Sequence, residues 1–388
     1  MQPRGVPIRA RPAHPGPVLL AGFLFLLGLP AALRAQADRA VAEPFARGKA
    51  LSEWVSQATH YIPELRREAM RALAALGPGA APALPVLVRG TRDESEDVRF
   101  WAVEALGRIG PGARGAAPAL VVVMSDDVRR VQEAARRALE QIGPASAPVL
   151  LPALHAPDPW LRANAAEALG TVAEPKREVV TALTRLLADD SLWVRASAAW
   201  AIGQLGEGAR QAARPLAAAL AEELRRDPAL ADHAVHVRVE HYTFALGRLG
   251  HHADDAVPLV LSVFHDGDDS LRASAAVALA RLGKRAAKPL GQALRAGPMS
   301  HRLEAARALR LMGPDAKDAV PELVKVLEQT DELEGGRELV IASADALGAM
   351  GRNARDARRI LERQRSRSTT PDVVAALERA LRKIQYGG

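Results

Sequence analysis

Histidines cluster in one part of this 388-residue chain, and clustered histidines are common ligands for transition metals. Six of the nine histidines that follow residue 37 lie between His233 and His265. His233, His236 and Glu240 recur at three- and four-residue spacing, which predicts one shared helical face. The spacing is not the H-E-x-x-H pattern of zinc enzymes, and His241 falls on a different side from His236. We therefore predict no metal site and no cofactor, with a metal bound by this cluster as the alternative.

Catalytic patterns are missing from the sequence. The chain has no cysteine, which excludes disulfides, thiol catalysis and cysteine-based metal sites. It also has no glycine-rich phosphate loop after a strand and no nucleophile elbow. The glycines fall at regular turns instead. We predict no catalytic residue, and we favour a protein that is not an enzyme.

Tryptophan and arginine indicate a binding surface. Trp160 and Trp193 each precede an arginine by two residues, at equivalent places in two successive stretches of similar sequence. If these stretches form neighbouring packed helices, the indoles lie within about 10 Å of each other. Exposed Trp beside Arg is typical of protein interfaces. The alternative is that each indole closes the end of the core and exposes only its N–H. The predicted partner-binding residues are Trp160, Trp193, Trp101, Arg162 and Arg195.

These residues belong to a repeated unit, seen most clearly from Asp97 to Asp127. Apolar residues recur at three- and four-residue spacing up to Ile109, which predicts a helix. Gly110-Pro111 ends that helix, and a second apolar stripe with Pro118 in its first turn predicts another. A two-helix unit with one apolar stripe cannot bury it alone, so the unit must stack on neighbours.

The turn that follows the first helix recurs nine times at a nearly fixed period. Eight copies have glycine at this turn and one has alanine. These residues are Gly77, Gly110, Gly143, Ala173, Gly206, Gly250, Gly283, Gly313 and Gly351. In six of the nine copies an arginine stands at the same place in the preceding helix. These arginines are Arg66, Arg99, Arg162, Arg195, Arg272 and Arg302.

Acidic clusters occupy the opposite turns, where the next helix begins. They lie at Asp93 to Asp97, Asp126-Asp127, Asp189-Asp190 and Asp266 to Asp269. We predict that these acids cap helix N-termini and complement the helix dipole. The alternative is an acidic edge that binds Ca²⁺ or a basic partner.

The pattern VR-x-x-A-x-x-A-[LI]-G-x-[LI]-G, followed by A-x-x-A-x-P-x-L and an acidic turn, resembles HEAT repeats, in particular the HEAT-like repeats first named from phycobilin lyases. The resemblance covers roughly Ala46 to Gln385. It implies an all-α, right-handed α-solenoid of about nine stacked two-helix repeats. It also implies that the arginine-bearing helix lines the concave side, and that each arginine joins a ladder near the turn acid of a neighbouring repeat.

Two repeats are longer than the others. The step from Gly206 to Gly250 predicts about three extra helical turns between Leu216 and Val237, and the step from Gly313 to Gly351 contains the acidic stretch LEQTDELEGG. Insertions in solenoids emerge on one face and often bind partners.

The first 37 residues have the composition of a secretory signal peptide. A basic start precedes an uncharged apolar run from Val18 to Leu33, and Ala35-Gln36-Ala37 fits signal peptidase. We predict cleavage after Ala37, with an uncleaved anchor as the alternative, and a periplasmic or secreted protein. Cleavage leaves no stable membrane span. It also lowers the formal charge from +7 to +3, because the segment contains four arginines and no acid.

The predicted organisation is a signal peptide over 1–37, a capping segment over 38–61, the solenoid over 62–367 and a capping helix over 368–388. Ala46 to His60 is predicted to be the first helix. The predicted function is a non-enzymatic, exported scaffold that binds a protein and is monomeric in isolation. One alternative is a lyase-like or metal-dependent enzyme subunit. A second is a nucleic-acid-binding solenoid, which the charge of +3 opposes.

Overall fold

The computed structural model describes residues 43–227, 230, 233–329 and 336–387. Within these ranges the chain is helical apart from connecting turns and one short hairpin. Its nine two-helix repeats each consist of a long helix, a turn and a second, mostly shorter helix. The predicted signal peptide and most of the LEQTDELEGG stretch lie outside the described residues.

The hairpin corrects the prediction that the first helix begins at Ala46. Strand β1 (Phe45–Ala46) pairs antiparallel with β2 (Lys49–Ala50), and helix α1 covers only Leu51–Gln57. Gly48 has a positive φ of 84°, which favours a two-residue hairpin turn. The buried Trp54 indole donates its Nε1–H to the carbonyl of Ala46 at 2.8 Å and so fixes the hairpin on the helix.

The long helices have even numbers in our labelling. All but one of the nine in the described residues contain 14 residues. They are α2 (Pro63–Leu76), α4 (Glu96–Ile109), α6 (Arg129–Ile142), α8 (Pro159–Val172), α10 (Leu192–Leu205), α12 (His233–Leu249), α14 (Asp269–Leu282), α16 (Met299–Met312) and α18 (Arg337–Met350).

The second helices of the repeats have odd numbers. They are α3 (Leu84–Gly90), α5 (Ala117–Val123), α7 (Ala147–Ala153), α9 (Arg177–Arg185), α11 (Ala213–Arg226), α13 (Val257–Asp266), α15 (Ala287–Ala293), α17 (Val320–Gln329) and α19 (Arg358–Arg367). The last helix of the described residues, α20 (Pro371–Tyr386), packs on α18 and α19.

Glycine ends eight of the nine long helices in the described part of the chain. At Gly110, for example, φ is +67°, a conformation that other residues adopt only with strain. Ala173 is the exception, and there the chain leaves α8 in an extended conformation. These turns stack on one another along one edge of the solenoid.

Successive long helices pack directly on each other, and each second helix packs on the next long helix. The contact is closest at a glycine inside the helix. A Cβ added at Gly170 would lie 2.6 Å from the Cα of Ala201, and one added at Gly247 would lie 2.7 Å from the Cα of Ala278. The first glycine of the A-[LI]-G-x-[LI]-G pattern therefore lets the backbones of neighbouring helices approach.

The stretch Pro63–Gly90 is long and apolar enough to pass as a membrane span by composition. It consists, however, of α2 and α3, which are separated by a 3₁₀ turn with a positive φ at Gly77. Its large apolar residues, such as Met70 and Leu73, are fully buried in the solenoid core. Its apolar character is therefore explained by packing.

The longest repeat agrees with the predicted insertion. Helix α11 has 14 residues where α3, α5 and α7 have seven, and α12 has 17 residues. The extra helical residues lie on either side of the short connection between α11 and α12. The longer α11 places Glu222, which follows Arg195 of the fifth repeat by 27 residues, inside a helix rather than in a turn.

Candidate functional site

An arginine near the start of a long helix joins three parts of the chain. Arg99 donates from Nε and Nη2 to the two carboxylate oxygens of Asp126, over 2.7 and 2.9 Å. Its Nη1 donates to the carbonyls of Asp93 and Glu94, in the turn before its own helix. Asp126 lies in the turn before the next long helix, so one guanidinium ties two successive turns together.

The same geometry recurs at Arg66 with Asp93 and at Arg162 with Asp189. In all three pairs the acid follows the arginine by 27 residues, and both Nε and Nη2 lie 2.7 to 2.9 Å from its oxygens. We call these three pairs the arginine ladder and each pair a rung. Its presence confirms the ladder that the family resemblance implied.

The acids of the ladder do not cap helices as predicted. Helix α6 begins after Val128, and no side chain caps it. The Oδ1 of Asp126 instead accepts the backbone N–H of Val128, two residues on, while both carboxylate oxygens face Arg99. Asp268, in the predicted cluster Asp266 to Asp269, does cap α14, and Asp158, which lies outside the predicted clusters, caps α8. The prediction is thus right for Asp268 and wrong for the acids of the ladder.

Ionisation of the rungs is strongly favoured. The hydrogen bonds that Arg99 donates to Asp126, and Arg162 to Asp189, raise the pKa of the two arginines against the opposing effect of burial. Burial alone would raise the pKa of Asp126, but the hydrogen bonds from Arg99 and from Val128 N–H outweigh it and lower that pKa. The pKa of Asp189 is lowered in the same way. The rungs are therefore ion pairs at neutral pH.

Arg195 stands at the ladder position of the fifth repeat but forms no bidentate pair, and we call it, with its neighbours Glu223, Arg238 and Tyr242, the Arg195 rung. The Nη1 of Arg195 donates to the carbonyls of Asp189 and Asp190 as expected, but its Nε has no hydrogen-bond partner in the described structure. Glu222 stands at the ladder spacing from Arg195, but it pairs with Arg225 and Arg226 on its own helix. Because α11 stays helical where other repeats turn, no bidentate carboxylate reaches Arg195.

Glu223 partly replaces the missing carboxylate at Arg195. It is 2% exposed, and its carboxylate accepts from Arg238 Nη2 at 2.8 Å and from Arg195 Nη2 at 3.4 Å. Tyr242 is fully buried beside them, and burial together with the charge of Glu223 raises the pKa of its phenol to about 12. This cluster was not predicted from the sequence. A signal for it was present, because Glu222 and Glu223 follow Arg195 at about the ladder spacing but lie within the longest repeat.

Trp160 and Trp193 lie on the other side of the same helices. Their ring centroids are 6.0 Å apart and the rings are stacked, within the separation predicted. Trp160 is 46% exposed and Trp193 is 56% exposed, so the indoles do more than close the core. We call them the indole pair. Arg162, two residues after Trp160, is partly buried and held by Asp189 rather than standing beside the indoles in solvent.

The indole pair belongs to a wider aromatic face. Relative to the ladder position, the long-helix residues at −2, +2, +5 and +9 fall within about 60° of each other around the helix. Four of the five tryptophans of the chain occupy such positions. They are Trp101, Trp160, Trp193 and Trp200. We call this surface the long-helix face.

Two further features lie on the long-helix face. The guanidinium of Arg71 lies 5.5 Å from the ring centroid of the partly buried Trp101. A groove of about 510 Å³ crosses α10, α12 and α14. It is lined by Trp200, Phe244 and Val277, and by the polar residues Glu240, His241 and Arg281.

The predicted histidine cluster is dispersed. His233 and His236 stack on each other, and His236 Nδ1 lies 3.6 Å from Asp268. The Nδ1 of His241 instead lies 3.1 Å from the carbonyl of Ala196, on the side of the preceding repeat. No three His, Cys, Asp or Glu side chains of the described residues come close enough together to hold a metal ion.

Comparison with known proteins agrees with this architecture. The family model for HEAT repeats matches residues 31–140 and 147–231, half of the chain. No curated protein matches the sequence. Solved structures that resemble the chain include an engineered protein, with 23% identity and a TM-score of 0.46 over 87% of this chain and 99% of that one.

Two others come from structures of importin beta and of Kap95p. A structure of importin beta shares 15% identity at a TM-score of 0.52, and a chain from the structure of Kap95p with RanGDP shares 15% at 0.56. Each covers 87% of this chain, which spans only 58% and 51% of those chains. The likeness concerns the fold alone. The family model, which matches half of the chain, shows that the chain belongs to the HEAT-repeat family, and the stacked repeats make it an α-solenoid.

Proposed function

We propose that this solenoid is a scaffold that binds a partner protein along its long-helix face. The observation that carries the proposal is the stacked and half-exposed indole pair. Two adjacent tryptophans expose a large apolar area that the solenoid itself does not cover, and such residues dominate the binding energy of protein interfaces.

The neighbouring surface supports a polypeptide as the ligand. The groove lined by Trp200 and Phe244 combines apolar walls with Glu240, His241 and Arg281 at its polar positions. Such a mixture suits an extended segment that has both apolar and polar side chains. The indole pair on α8 and α10 and the groove across α10, α12 and α14 involve four successive repeats.

The test is capture of the partner in the native cell. The chain tagged at its C-terminus is cross-linked and compared with a Trp160→Ala/Trp193→Ala variant. We expect capture of the dominant partner to fall by at least about tenfold, because each truncation removes a contact expected to contribute more than about 1 kcal/mol. Tyr386→Ala is the matched control, since Tyr386 is 71% exposed but lies in the last helix. Equal capture by both variants would refute the proposed site.

We further propose that the protein acts outside the cytoplasm after cleavage at Ala37. Support comes from the basic start, the apolar run and the small residues before Asp38. Mass spectrometry of the protein purified from its native cell should find an N-terminus at Asp38. A chain that retains residues 1–37 in a membrane fraction would favour the anchor instead.

A further inference from the structure

The Arg195 rung contains more buried positive charge than buried negative charge. Arg195 is 9% exposed and Arg238 is 4% exposed, and the buried carboxylate between them belongs to Glu223. Among the described acids on either side, the Asp189 carboxylate forms its bidentate pair with Arg162, and Glu222 pairs with Arg225 and Arg226. A buried charge without a counterion is costly, and an anion that binds here would relieve that cost.

Buried donors without partners lie at the same place. In the part of the chain that the structure describes, Arg195 Nε, Arg238 Nε and Nη1, and the hydroxyl of Tyr242 have no hydrogen-bond partner. Such groups are rare inside proteins and usually indicate a ligand or a functional role. Arg195 and Tyr242 both line a groove of about 650 Å³ that also contacts Leu192, next to Trp193 of the indole pair.

The complete rungs show which group this arginine is shaped to bind. In the three bidentate pairs, the Nη1 anchored on two carbonyls holds the guanidinium so that Nε and Nη2 face one carboxylate. Arg195 keeps the carbonyl anchor, at 2.8 and 3.3 Å, while its Nε–H is unused and its Nη2 makes only a 3.4 Å contact. The guanidinium is therefore preorganised for a bidentate carboxylate, and none of the described hydrogen bonds supplies one to Arg195.

We infer that the Arg195 rung binds a carboxylate of the partner polypeptide, with Arg195 Nε and Nη2 as the bidentate donors and Tyr242 Oη–H as a third. The inference rests on the proposed protein-binding function only for the source of the carboxylate. The carboxylate is the C-terminus or an Asp or Glu side chain of the partner polypeptide that binds the long-helix face.

The experiment uses small probes and needs no partner. Spectra of ¹⁵N-labelled protein resolve arginine Nε–H signals, and Arg195→Lys and Arg162→Lys assign the two of interest. N-acetylglycine represents a C-terminal carboxylate, N-acetylaspartate α-amide a side-chain carboxylate, and inorganic phosphate a different oxyanion. We expect the Arg195 signal to shift and saturate with one or both carboxylates. The Arg162 signal should stay unchanged, because Asp189 already occupies its donors.

A milder variant tests the site in case Arg195→Lys unfolds locally. Tyr242→Phe removes one donor and should weaken carboxylate binding by about 2- to 10-fold, the range for one hydrogen bond. Absence of a saturable shift at Arg195, equal shifts at Arg162, or a response to phosphate alone would overturn the inference. Carboxylate binding without loss of partner capture in the Trp160→Ala/Trp193→Ala variant would refute the proposed face while leaving this site in place.

Discussion

The first half of the solenoid and the second half treat the same arginine differently. Arg66, Arg99 and Arg162 each meet a bidentate aspartate at one fixed spacing along the chain. Arg272 donates to the carbonyl of Gly267 and to the exposed Asp269, and Arg302 donates to the carbonyl of Leu294. At the ladder spacing from these two arginines stand Met299 and Gln329, which are not acids.

The difference shows that the rung depends on two conditions, an arginine and an acid at a fixed distance along the chain. The third repeat supports this view. Gln132 stands where an arginine is expected and donates to the carbonyl of Asp126, and the residue at the ladder spacing from it is Pro159. The third repeat therefore has neither the arginine nor its acid. In the second half Arg272 and Arg302 stand without an acid at the ladder spacing, and they bond backbone carbonyls instead.

The strongest test of this comparison is to remove the acid of one complete rung. Asp126→Ala removes the bidentate counterion of the largely buried Arg99 guanidinium and leaves it only the exposed Asp127, so it should lower the free energy of unfolding of the adjacent repeats by roughly 3–5 kcal/mol. Asp127→Ala is the matched control, because Asp127 also contacts Arg99 but its side chain is 84% exposed. The control should cost at most about 1 kcal/mol. Hydrogen exchange resolved by segment measures both, and equal costs would contradict a special role for the bidentate pair.

Packing of the long helices should not distinguish the two halves. Gly170→Ala and Gly247→Ala each place a methyl group against the backbone of the next helix, so each should destabilise by roughly 1–3 kcal/mol. Gly115→Ala is the control, since its added Cβ meets no atom within 4 Å. Thermal unfolding of the three variants gives the comparison. A much larger cost at Gly170 than at Gly247 would mean that the ladder and the packing are coupled.

Acid should open the first half before the second. The pKa of Asp126 and Asp189 is lower in the folded chain than the unfolded value of about 3.9, so at acidic pH the unfolded chain binds more protons. Their stabilisation is complete above about pH 5 and is lost as the pH falls through the folded pKa. Segment-resolved hydrogen exchange below about pH 5 should show repeats two to five losing protection before repeats seven and eight. Asp126→Asn should remove part of that dependence.

The smallest effect is expected where the ladder is incomplete. Arg272→Met removes a buried guanidinium whose Nε has no partner in the described chain, and it loses the bond to Gly267 in exchange. These terms nearly cancel, so stability should change by no more than about 1 kcal/mol. Arg99→Met, which would strand Asp126, should cost several times more. Similar losses in denaturant unfolding would show that Arg272 has a counterion role after all.

The repeat architecture could be predicted because it is encoded locally and many times over. Glycine at the helix end, proline in the first turn of the next helix and small residues between them each have a direct conformational cause. The prediction for the entry segment was wrong because its structure depends on a single turn and one contact rather than on a repeated pattern. An amphipathic pattern from Ala46 onward suggested a helix, but the Arg47-Gly48 turn and the hydrogen bond of Trp54 to Ala46 select a hairpin.

The candidate site was only half predictable. Equal spacing in adjacent repeats was enough to bring Trp160 and Trp193 together. The turn acids were interpreted as helix caps because capping is a local interaction, whereas the contact between Arg99 and Asp126 joins neighbouring repeats. The cluster of Glu223, Arg238 and Tyr242 forms because the longer helix α11 places Glu223 in the core, and the repeat pattern does not contain that information.

The glycine contacts between long helices have a mechanical consequence. Where backbone touches backbone, the distance between neighbours is set by hard contact, and protein interiors are barely compressible. When the solenoid bends, the spacing between repeats should therefore change mostly on the side of the second helices. The spacing between neighbouring long helices should stay nearly constant. The 6.0 Å interval between the two indoles would stay constant as the molecule flexes. A partner that binds this face would thus meet anchor points whose separation does not change.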